Sequence, residues 1–411
     1  MKPKILTTLA DYDAAQLRGD ALAGITVALV ALPLSIAIAI ASGVPPTAGI
    51  ITAIVGGFLI SALGGSKVQI GGPTGAFIVL VYGIVAKHGA DGLVLATGMA
   101  GVILLIAAVL RAGRLIAMVP EPVIDGFTIG IAIVIATSQL RDFLGLHTGA
   151  LPADFLKKIP VLWQARHSFD AASALIGLIT LLSITIFRRR WPTLPGPLVV
   201  LALTSTAALA WLPSVGTVSA SYGALPGGIG WPGLPAANLA MMLDLLPAAF
   251  SIAFLAGIES LLSAVVADRM IGSQHRHGAE LLAQGAANIG SALFGGVPAT
   301  GAIARTATNV SAGGKTPVAG IIHALTIWAL IALAGDLAGH LILPGLAALL
   351  LLTAWNMSEP ARWHERLRQP RANLALLVLT ALMTVLVDLT AAIAVGTAIG
   401  LGLEYWRGRG G

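Results

Sequence analysis

Residues 61–76 read SALGGSKVQIGGPTGA, and residues 291–302 repeat this pattern in the shorter form SALFGGVPATGA. Each copy combines glycines with a proline and stands ahead of an unusually short apolar run. Gly/Pro-interrupted segments at corresponding positions of two halves are typical of transporters built from inverted repeats. The pair therefore predicts two related halves, each with one broken helix. Coincidence is the alternative for such short Gly-rich matches, but it does not explain why both copies precede a short run.

The composition around these segments predicts an all-α integral membrane protein. Hydrophobic residues make up 57% of the 411 residues, charged residues 10%, and the mean hydropathy is +0.91. Soluble domains carry about 25% charged residues. Backbone groups in lipid must be satisfied internally, and a spanning helix needs about 20 mostly apolar residues. Apolar runs of this kind recur without the alternation of a barrel strand.

Fourteen spans are predicted, and the third and tenth are too short to cross about 30 Å of hydrocarbon as helices. Seven spans separate the two Gly-rich copies, and an odd number of crossings inverts the second unit. Residues 1–411 are thus predicted as one transport domain with two inverted seven-span repeats, 1–212 and 243–406. The spans are 21–42, 47–63, 73–87, 92–110, 122–139, 171–187, 195–212, 243–268, 279–293, 299–311, 317–334, 340–356, 373–388 and 389–406.

The loop charges predict that both termini are cytoplasmic. With the N-terminus inside, most basic residues fall on the inner side, including the run 188–190, and the positive-inside rule is obeyed. The outer side receives only Lys87, Arg141, Lys157, Lys158 and Arg166. Because the basic residues form short clusters between spans, they indicate topology rather than a nucleic-acid surface. The absence of cysteine excludes disulfides and thiolate metal sites.

The two Gly-rich segments are candidates for an anion site at the membrane centre. Pro73 suits the first turn of a helix, and residues 74–76 would then present backbone N–H groups. Thr300, Gly301 and Ala302 would do so from the opposite side. A helix N-terminus carries about half a positive charge, so two that face each other attract an anion. Tight helix crossing is the alternative role for such glycines.

Arg305 strengthens the expectation of an anionic ligand. In the repeat alignment it lies opposite Val79, so one half-helix carries a cation where the other carries an aliphatic residue. An unpaired arginine inside a membrane costs several kcal/mol, which favours a functional role. Pairing with an internal carboxylate is the structural alternative.

Glu259 is the evident intramembrane carboxylate, and Ser263 lies one turn further along the same predicted helix. Together they are candidates for coupling, either by binding Na⁺ or by a proton on Glu259. A fixed salt bridge between Glu259 and Arg305 is the alternative. No structural metal and no other cofactor is expected.

Two further motifs are predicted to carry no chemistry. Residues 313–316, GGKT, end like a phosphate-binding loop, but the first glycine of that motif would fall on Asn309. The cluster His275-Arg276-His277 lacks an evident third metal ligand and is predicted to be a solvated loop.

The chain resembles the membrane domain of the SulP (sulfate permease) family of anion transporters over nearly its whole length. The resemblance depends on residues 20–27 and 32–34, on 68–77, on 258–264 and on 280–309, of which Gly301-Ala302-Ile303-Ala304-Arg305-Thr306 is the most specific part. It implies fourteen spans, with spans one to four and eight to eleven as a core domain and the others as a gate domain. It also implies an elevator mechanism, a homodimer and substrates such as sulfate, bicarbonate, chloride or four-carbon dicarboxylates, coupled to H⁺ or Na⁺.

The family's substrate lies between the third and tenth spans, which completes the predicted site. The predicted substrate-binding residues are Gly72, Pro73, Thr74, Gly75, Ala76, Phe77, Thr300, Gly301, Ala302 and Arg305. Leu34 replaces the glutamine of many relatives, which weakens the inference toward sulfate. The chain stops at Gly411, where relatives generally continue into a STAS domain, so a membrane domain without STAS domain is expected, either as a naturally short member or as a truncated chain.

The resulting hypothesis is a secondary active anion transporter, not an enzyme, in a bacterial plasma membrane. A nucleobase transporter of the same fold is one alternative, although its neutral ligand would favour carboxylates over Arg305. A passive anion channel is another. An intramembrane hydrolase is excluded because the spans offer no paired acid and base.

Overall fold

The computed structural model describes residues 2–111, 119–149, 151–191, 194–212, 214–225, 227–233, 238–387 and 389–409. In the first half the helices are α1 Ile5–Thr8, α2 Ala14–Ala41, α3 Pro46–Ile51, α4 Gly57–Leu63, α5 Ile78–Val109, α6 Glu121–Phe143, α7 Phe155–Gln164, α8 Ala171–Arg190, α9 Gly196–Trp211 and α10 Val218–Tyr222. In the second half they are α11 Leu239–Ile271, α12 His277–Leu293, α13 Ile303–Ser311, α14 Pro317–Gly339, α15 Leu343–Met357, α16 Trp363–Leu367, α17 Arg371–Leu386 and α18 Leu389–Arg409. The broken segments contain two short strands, β1 Gly71–Gly72 and β2 Thr300–Gly301, and short 3₁₀ or π-helical turns join several of the helices.

Within the described residues, seven helical segments are long and apolar enough to cross a membrane. They are Ala14–Ala41, Pro46–Leu63, Gly75–Val109, Glu121–Phe143, Ala171–Arg190, Leu239–Ile271 and Pro317–Gly339. Three shorter apolar helices are Gly196–Trp211, Arg371–Leu386 and Ala391–Leu403. The protein is thus a multi-pass helical membrane protein, as its composition predicts. The count of fourteen inverted spans stays a prediction.

The predicted third and fourth spans lie in the single element α5, which is interrupted at Gly89. Gly89 has φ +69° and ψ −172°, a conformation that a side chain would strain. The predicted tenth span is the nine-residue helix α13, which at 1.5 Å per residue reaches only about 14 Å. Both broken segments therefore enter their helices from an extended approach.

Helix packing brings the two broken segments to the middle of the molecule. One set of extensive contacts joins α5 with α11 and α12, and α2 with α14. A second set joins α6 with α15 and α17. The buried core consists mainly of alanine, isoleucine, leucine and valine, and its many alanines let these helices approach closely.

A buried ion pair ties the short helix α16 to α6. Arg366, on α16, donates from Nε and Nη2 to the two carboxylate oxygens of Asp125 on α6, over 2.9 and 2.8 Å. Its Nη1 donates to the carbonyl of Ser358 at 2.7 Å. Both side chains are buried, whereas Arg362 in the same cluster is more exposed.

A buried lysine lies in the connection between α6 and α8. Lys158 on α7 donates from Nζ to Ser138 Oγ at 2.7 Å and lies 5.9 Å from the centroid of the Tyr82 ring. The Tyr82 hydroxyl donates to the carbonyl of Leu151. Burial lowers the pKa of Lys158 from 10.5 to about 8, against the opposing effect of Asp154.

We expect Lys158→Met to raise the melting temperature at pH 7. The Lys158 ammonium loses its proton more readily in the folded protein than in the unfolded chain, so folding stability rises with pH between about 8 and 10.5. Below about pH 8 the folded protein bears the full cost of burying the charged lysine. Ser138 keeps a partner in the variant, because its hydroxyl also donates to the carbonyl of Val134. Thermal unfolding in detergent at pH 7 and pH 10 measures both effects. The exposed Lys157→Met is the control, and an equal gain from it would contradict the assignment.

Candidate anion-binding site

The two broken segments pair with each other as antiparallel strands. Gly71 lies opposite Gly301, and Gly72 lies opposite Thr300. The N–H of Ala302 donates to the carbonyl of Ile70 at 2.8 Å, which extends the pairing. The structure therefore brings together the starts of α13 and of the 3₁₀ turn Gly75–Phe77 that leads into α5. Each start carries the partial positive charge of a helix N-terminus.

Two glycines allow the strands to approach this closely. Gly72 has φ +149°, and a Cβ placed on it would lie 2.3 Å from Arg305 Nη1. A Cβ on Gly301 would lie 1.6 Å from Gln69 Nε2. Neither position has room for a side chain, so the glycines predicted from the repeat are required where the two strands meet.

Arg305 lies in the interior, only 2% exposed. Its Nη2 donates to Ser35 Oγ on α2 at 3.2 Å, while Nε and Nη1 have no hydrogen-bond partner in the described part of the chain. The described residues show no ion pair to it, so the proposed salt bridge with Glu259 is not formed here. A buried guanidinium with two unused donor nitrogens is suited to bind an anion.

Glu259 and Ser263 contact different broken segments. The Thr74 hydroxyl donates to Glu259 Oε2 at 2.8 Å, which links α11 to the start of α5. Ser263 Oγ lies 3.2 Å from Thr306 Oγ1 on α13, and Thr306 Oγ1 also accepts from the N–H of Ile70. The two predicted coupling residues thus lie on one helix that holds both half-helices.

The sequence matches one known protein family over most of its length. Residues 17–380 match the sequence profile described as the Sulfate permease family. The chain belongs to this family.

Curated members of the sulfate permease family are similar to it along most of their length. The putative sulfate transporter YvdB of Bacillus subtilis is 40% identical over 386 residues, which cover 94% of this chain and 73% of that protein. The bicarbonate transporter BicA of Picosynechococcus is 31% identical over 402 residues, which cover 93% of this chain and 69% of that protein.

Solved structures show the same fold. The transmembrane domain of a cyanobacterial bicarbonate transporter BicA superposes with a TM-score of 0.81 at 29% identity and covers 93% of this chain and 98% of that one. Murine solute carrier 26 family member A9, described as an anion transporter in the inward-facing state, gives a TM-score of 0.88. That chain is 17% identical, with coverage of 98% of this chain and 71% of the murine one, so it shows the fold alone.

Other predicted residues of this sulfate permease family member have mainly packing roles in the structure. Ala76 and Phe77 are buried in the apolar core, and the Thr300 hydroxyl donates to the carbonyl of Ala256 at 2.8 Å. Pro73 is buried as well. A Cβ on Gly75 would lie 3.2 Å from Met357 Sδ, so this turn faces α15.

A buried polar network behind the strands was not predicted. Glu280 accepts hydrogen bonds from the N–H groups of Gly65 and Ser66 and from the Ser260 hydroxyl. Gln284, one turn further on α12, donates to Ser260 Oγ at 2.7 Å. The spacing of the polar residues 280, 284 and 288 places them on one helix face, which is the sequence signal for this network.

The two motifs that were predicted to carry no chemistry lie in connecting loops. The N–H groups of Lys315 and Thr316 donate to Asp20 Oδ1, so the GGKT segment is held by α2. His275 Nδ1 lies 2.6 Å from Asp268 Oδ2 in the connection between α11 and α12.

Proposed function

We propose that this protein is a secondary active transporter of small anions. The main support for the proposal is that Gly71–Gly72 pair with Thr300–Gly301 next to the guanidinium of Arg305. Two nitrogens of this guanidinium have no hydrogen-bond partner among the described residues. Two helix N-termini and one permanent cation then act on the same small volume. In a low-dielectric interior, an anion bound there would satisfy donors that otherwise stay unpaired.

The substrate class is proposed as sulfate, bicarbonate or a small dicarboxylate. Relatives of this chain are named as sulfate and bicarbonate transporters. All three anions present oxygen acceptors that suit backbone N–H groups and a planar guanidinium. Leu34 removes a polar side chain that many relatives carry, so discrimination is expected to depend on Arg305 and the strand backbones.

The proposed transport cycle is an elevator movement in a homodimer in the bacterial plasma membrane. The moving core would comprise the elements that hold both half-helices, and the gate would include α6 and α15. Gly75 supports this assignment, because Ile135 on α6 and Thr353 and Met357 on α15 surround it. A sliding core would carry the paired strands past these side chains and expose the anion to the other side.

The test is uptake into proteoliposomes of radiolabelled sulfate, bicarbonate, fumarate and chloride. Saturable uptake of at least one anion, competed by the unlabelled anion, is expected. Uptake of a nucleobase with no anion uptake would favour the alternative substrate class. Flux that does not saturate and responds to no cation gradient would favour a channel.

We propose that Glu259 and Ser263 couple anion movement to Na⁺ or H⁺. The Glu259→Gln variant removes the charge while an amide oxygen can still accept from Thr74. We expect this variant to lose its dependence on the coupling cation, because the ion that the carboxylate attracts is no longer favoured there. Uptake is measured while the sodium and pH gradients are varied independently.

Asp244→Asn is the control for this prediction, because Asp244 lies on the same helix but is largely exposed. It is expected to keep the cation dependence of the parent. If Glu259→Gln kept the same dependence on both gradients, the coupling residue would lie elsewhere.

A further inference from the structure

His323, on α14, is a buried imidazole to which the site described above gives no role. Its side chain is 0% exposed, and neither ring nitrogen has a hydrogen-bond partner among the described residues. Buried polar groups in native proteins are almost always paired, and each exception needs an explanation. A titratable ring kept dry and unpaired in a membrane protein points to function.

The ring lies close to the strand that forms the anion site. A Cβ placed on Gly57 would lie 3.7 Å from His323 Nδ1 and 3.1 Å from the carbonyl oxygen of Gly71. The next residue of that strand, Gly72, faces Arg305 Nη1. The imidazole and the guanidinium therefore both lie beside the same two-residue strand.

A second unpartnered group lies in the same helix contact. Ser61 Oγ has no hydrogen-bond partner in the described part of the structure, and it lies 2.0 Å from the Cβ position of Gly320. Ser61 is one turn from Gly57, and Gly320 is nearly one turn from His323, so both polar groups belong to the interface of α4 with α14. This interface thus contains two polar side chains without hydrogen-bond partners among the described residues.

The charged surroundings of His323 are simple. The helix α4 and the turn Thr52–Gly56 ahead of it contain no titratable side chain, and α1 contains none either. On α2, Arg18 is exposed and the Asp20 carboxylate is held by the loop before α14. On α10 the titratable group is Tyr222, whose charged neighbours are Asp142 and Arg141.

Arg305 is the charged side chain that lies beside the same strand as His323. The buried carboxylates Glu259 and Glu280 are hydrogen-bonded to other groups, Glu259 to Thr74 and Glu280 to Ser260. A positive guanidinium disfavours a second positive charge on the imidazole, and this repulsion is large in a dry interior. The protonation of His323 therefore depends on whether the charge of Arg305 is compensated.

We propose that His323 binds a proton together with the transported anion. The inference rests on the anion site of the proposed function. An anion on Arg305 cancels the repulsion, so His323 takes up a proton from the side to which the site is open and releases it with the anion on the other side. By linkage, the proton raises the affinity for the anion by the same factor as the anion raises the affinity for the proton.

The test is proton uptake on anion binding to the purified protein in weakly buffered detergent solution. Sulfate and chloride are added in separate titrations at constant sodium, with a pH-indicator dye and calorimetry. The parent is expected to take up about one proton per anion that binds. His323→Gln is expected to bind the anion without proton uptake, and the exposed His340→Gln, at the end of the same helix, is expected to behave as the parent.

The outcomes separate this inference from the proposed function. Failure of the parent to bind either anion would count against the anion site itself. If His323→Gln bound the anion with undiminished proton uptake, only the role of His323 would be overturned. The same conclusion would follow if proton uptake disappeared in Glu259→Gln but not in His323→Gln. If His323→Gln does not fold, the pH dependence of anion binding to the parent protein still tests the proposal. The anion Kd of the parent is expected to fall by up to about tenfold per unit decrease in pH. A pH-independent Kd would refute the proposal.

Discussion

Arg305→Ala is expected to abolish saturable anion uptake. The variant removes the permanent cation that faces Gly72 and leaves the bound anion with backbone donors only. Truncating one partner of a buried charge-assisted contact costs about 2 kcal/mol or more, which weakens anion affinity at least about 30-fold. Uptake of the radiolabelled anion into proteoliposomes, with calorimetric titration of the purified protein, measures the loss.

The melting temperature of Arg305→Ala, measured without anion, distinguishes a loss of anion binding from a loss of folding. Arg305 is buried with two nitrogens that lack partners, so its removal is not expected to lower the melting temperature. The control is Arg269→Ala, which removes an exposed arginine away from the site, on the helix that carries Glu259. Unchanged uptake and affinity in Arg305→Ala would show that the anion binds elsewhere.

Arg366→Ala is expected to cause the largest loss of stability. The variant leaves the buried Asp125 carboxylate without its two-bond partner, so that Arg362 at 3.9 Å is the cation that still faces it in the described structure. The carbonyl of Ser358 loses one donor but keeps the hydrogen bond from Trp363 Nε1. Breaking a buried ion pair typically costs about 3 to 5 kcal/mol, because the remaining charge is uncompensated. Unfolding in mixed detergent micelles, followed by tryptophan fluorescence, measures the free energy.

Arg362→Ala tests whether burial is the cause. Arg362 pairs with Glu121 and Glu359 in the same cluster, but its side chain is 35% exposed, against 5% for Arg366. Exposed pairs contribute about 0 to 1 kcal/mol, so a small effect is expected. The double variant Asp125→Ala with Arg366→Ala should lose less than the sum of the single variants. Equal losses from Arg362→Ala and Arg366→Ala would contradict the argument.

Local features of the sequence predicted the two segments that form the candidate site. The Gly-rich segments identified both broken helices, and the repeat placed Arg305 on the second one. The membrane class and the sulfate permease family are confirmed. The coupling role of Glu259 and Ser263 stays a prediction, and the structure shows the contacts of these residues with Thr74 and Thr306.

Hydrogen bonds between side chains that are far apart in the chain could not be predicted from the sequence. Arg305 meets Ser35 across 270 residues, and Glu259 meets Thr74 across 185. His323 was overlooked because a single histidine in an apolar span gives no periodic signal. Glu280 was not placed in a network because its partners Gly65 and Ser66 donate through backbone N–H groups, which no side-chain pattern reveals.

The amino-acid sequence by itself determined that this is a helical membrane protein with two interrupted segments, since apolar composition and Gly/Pro breaks act over a few neighbouring residues. Only the tertiary structure decided that the two segments pair as strands, that the Arg305 guanidinium lies against Gly72 rather than a carboxylate, and that His323 stays dry beside them. These contacts depend on how helices from both halves pack, and close packing of many distant side chains selects one arrangement that helical periodicity alone leaves open.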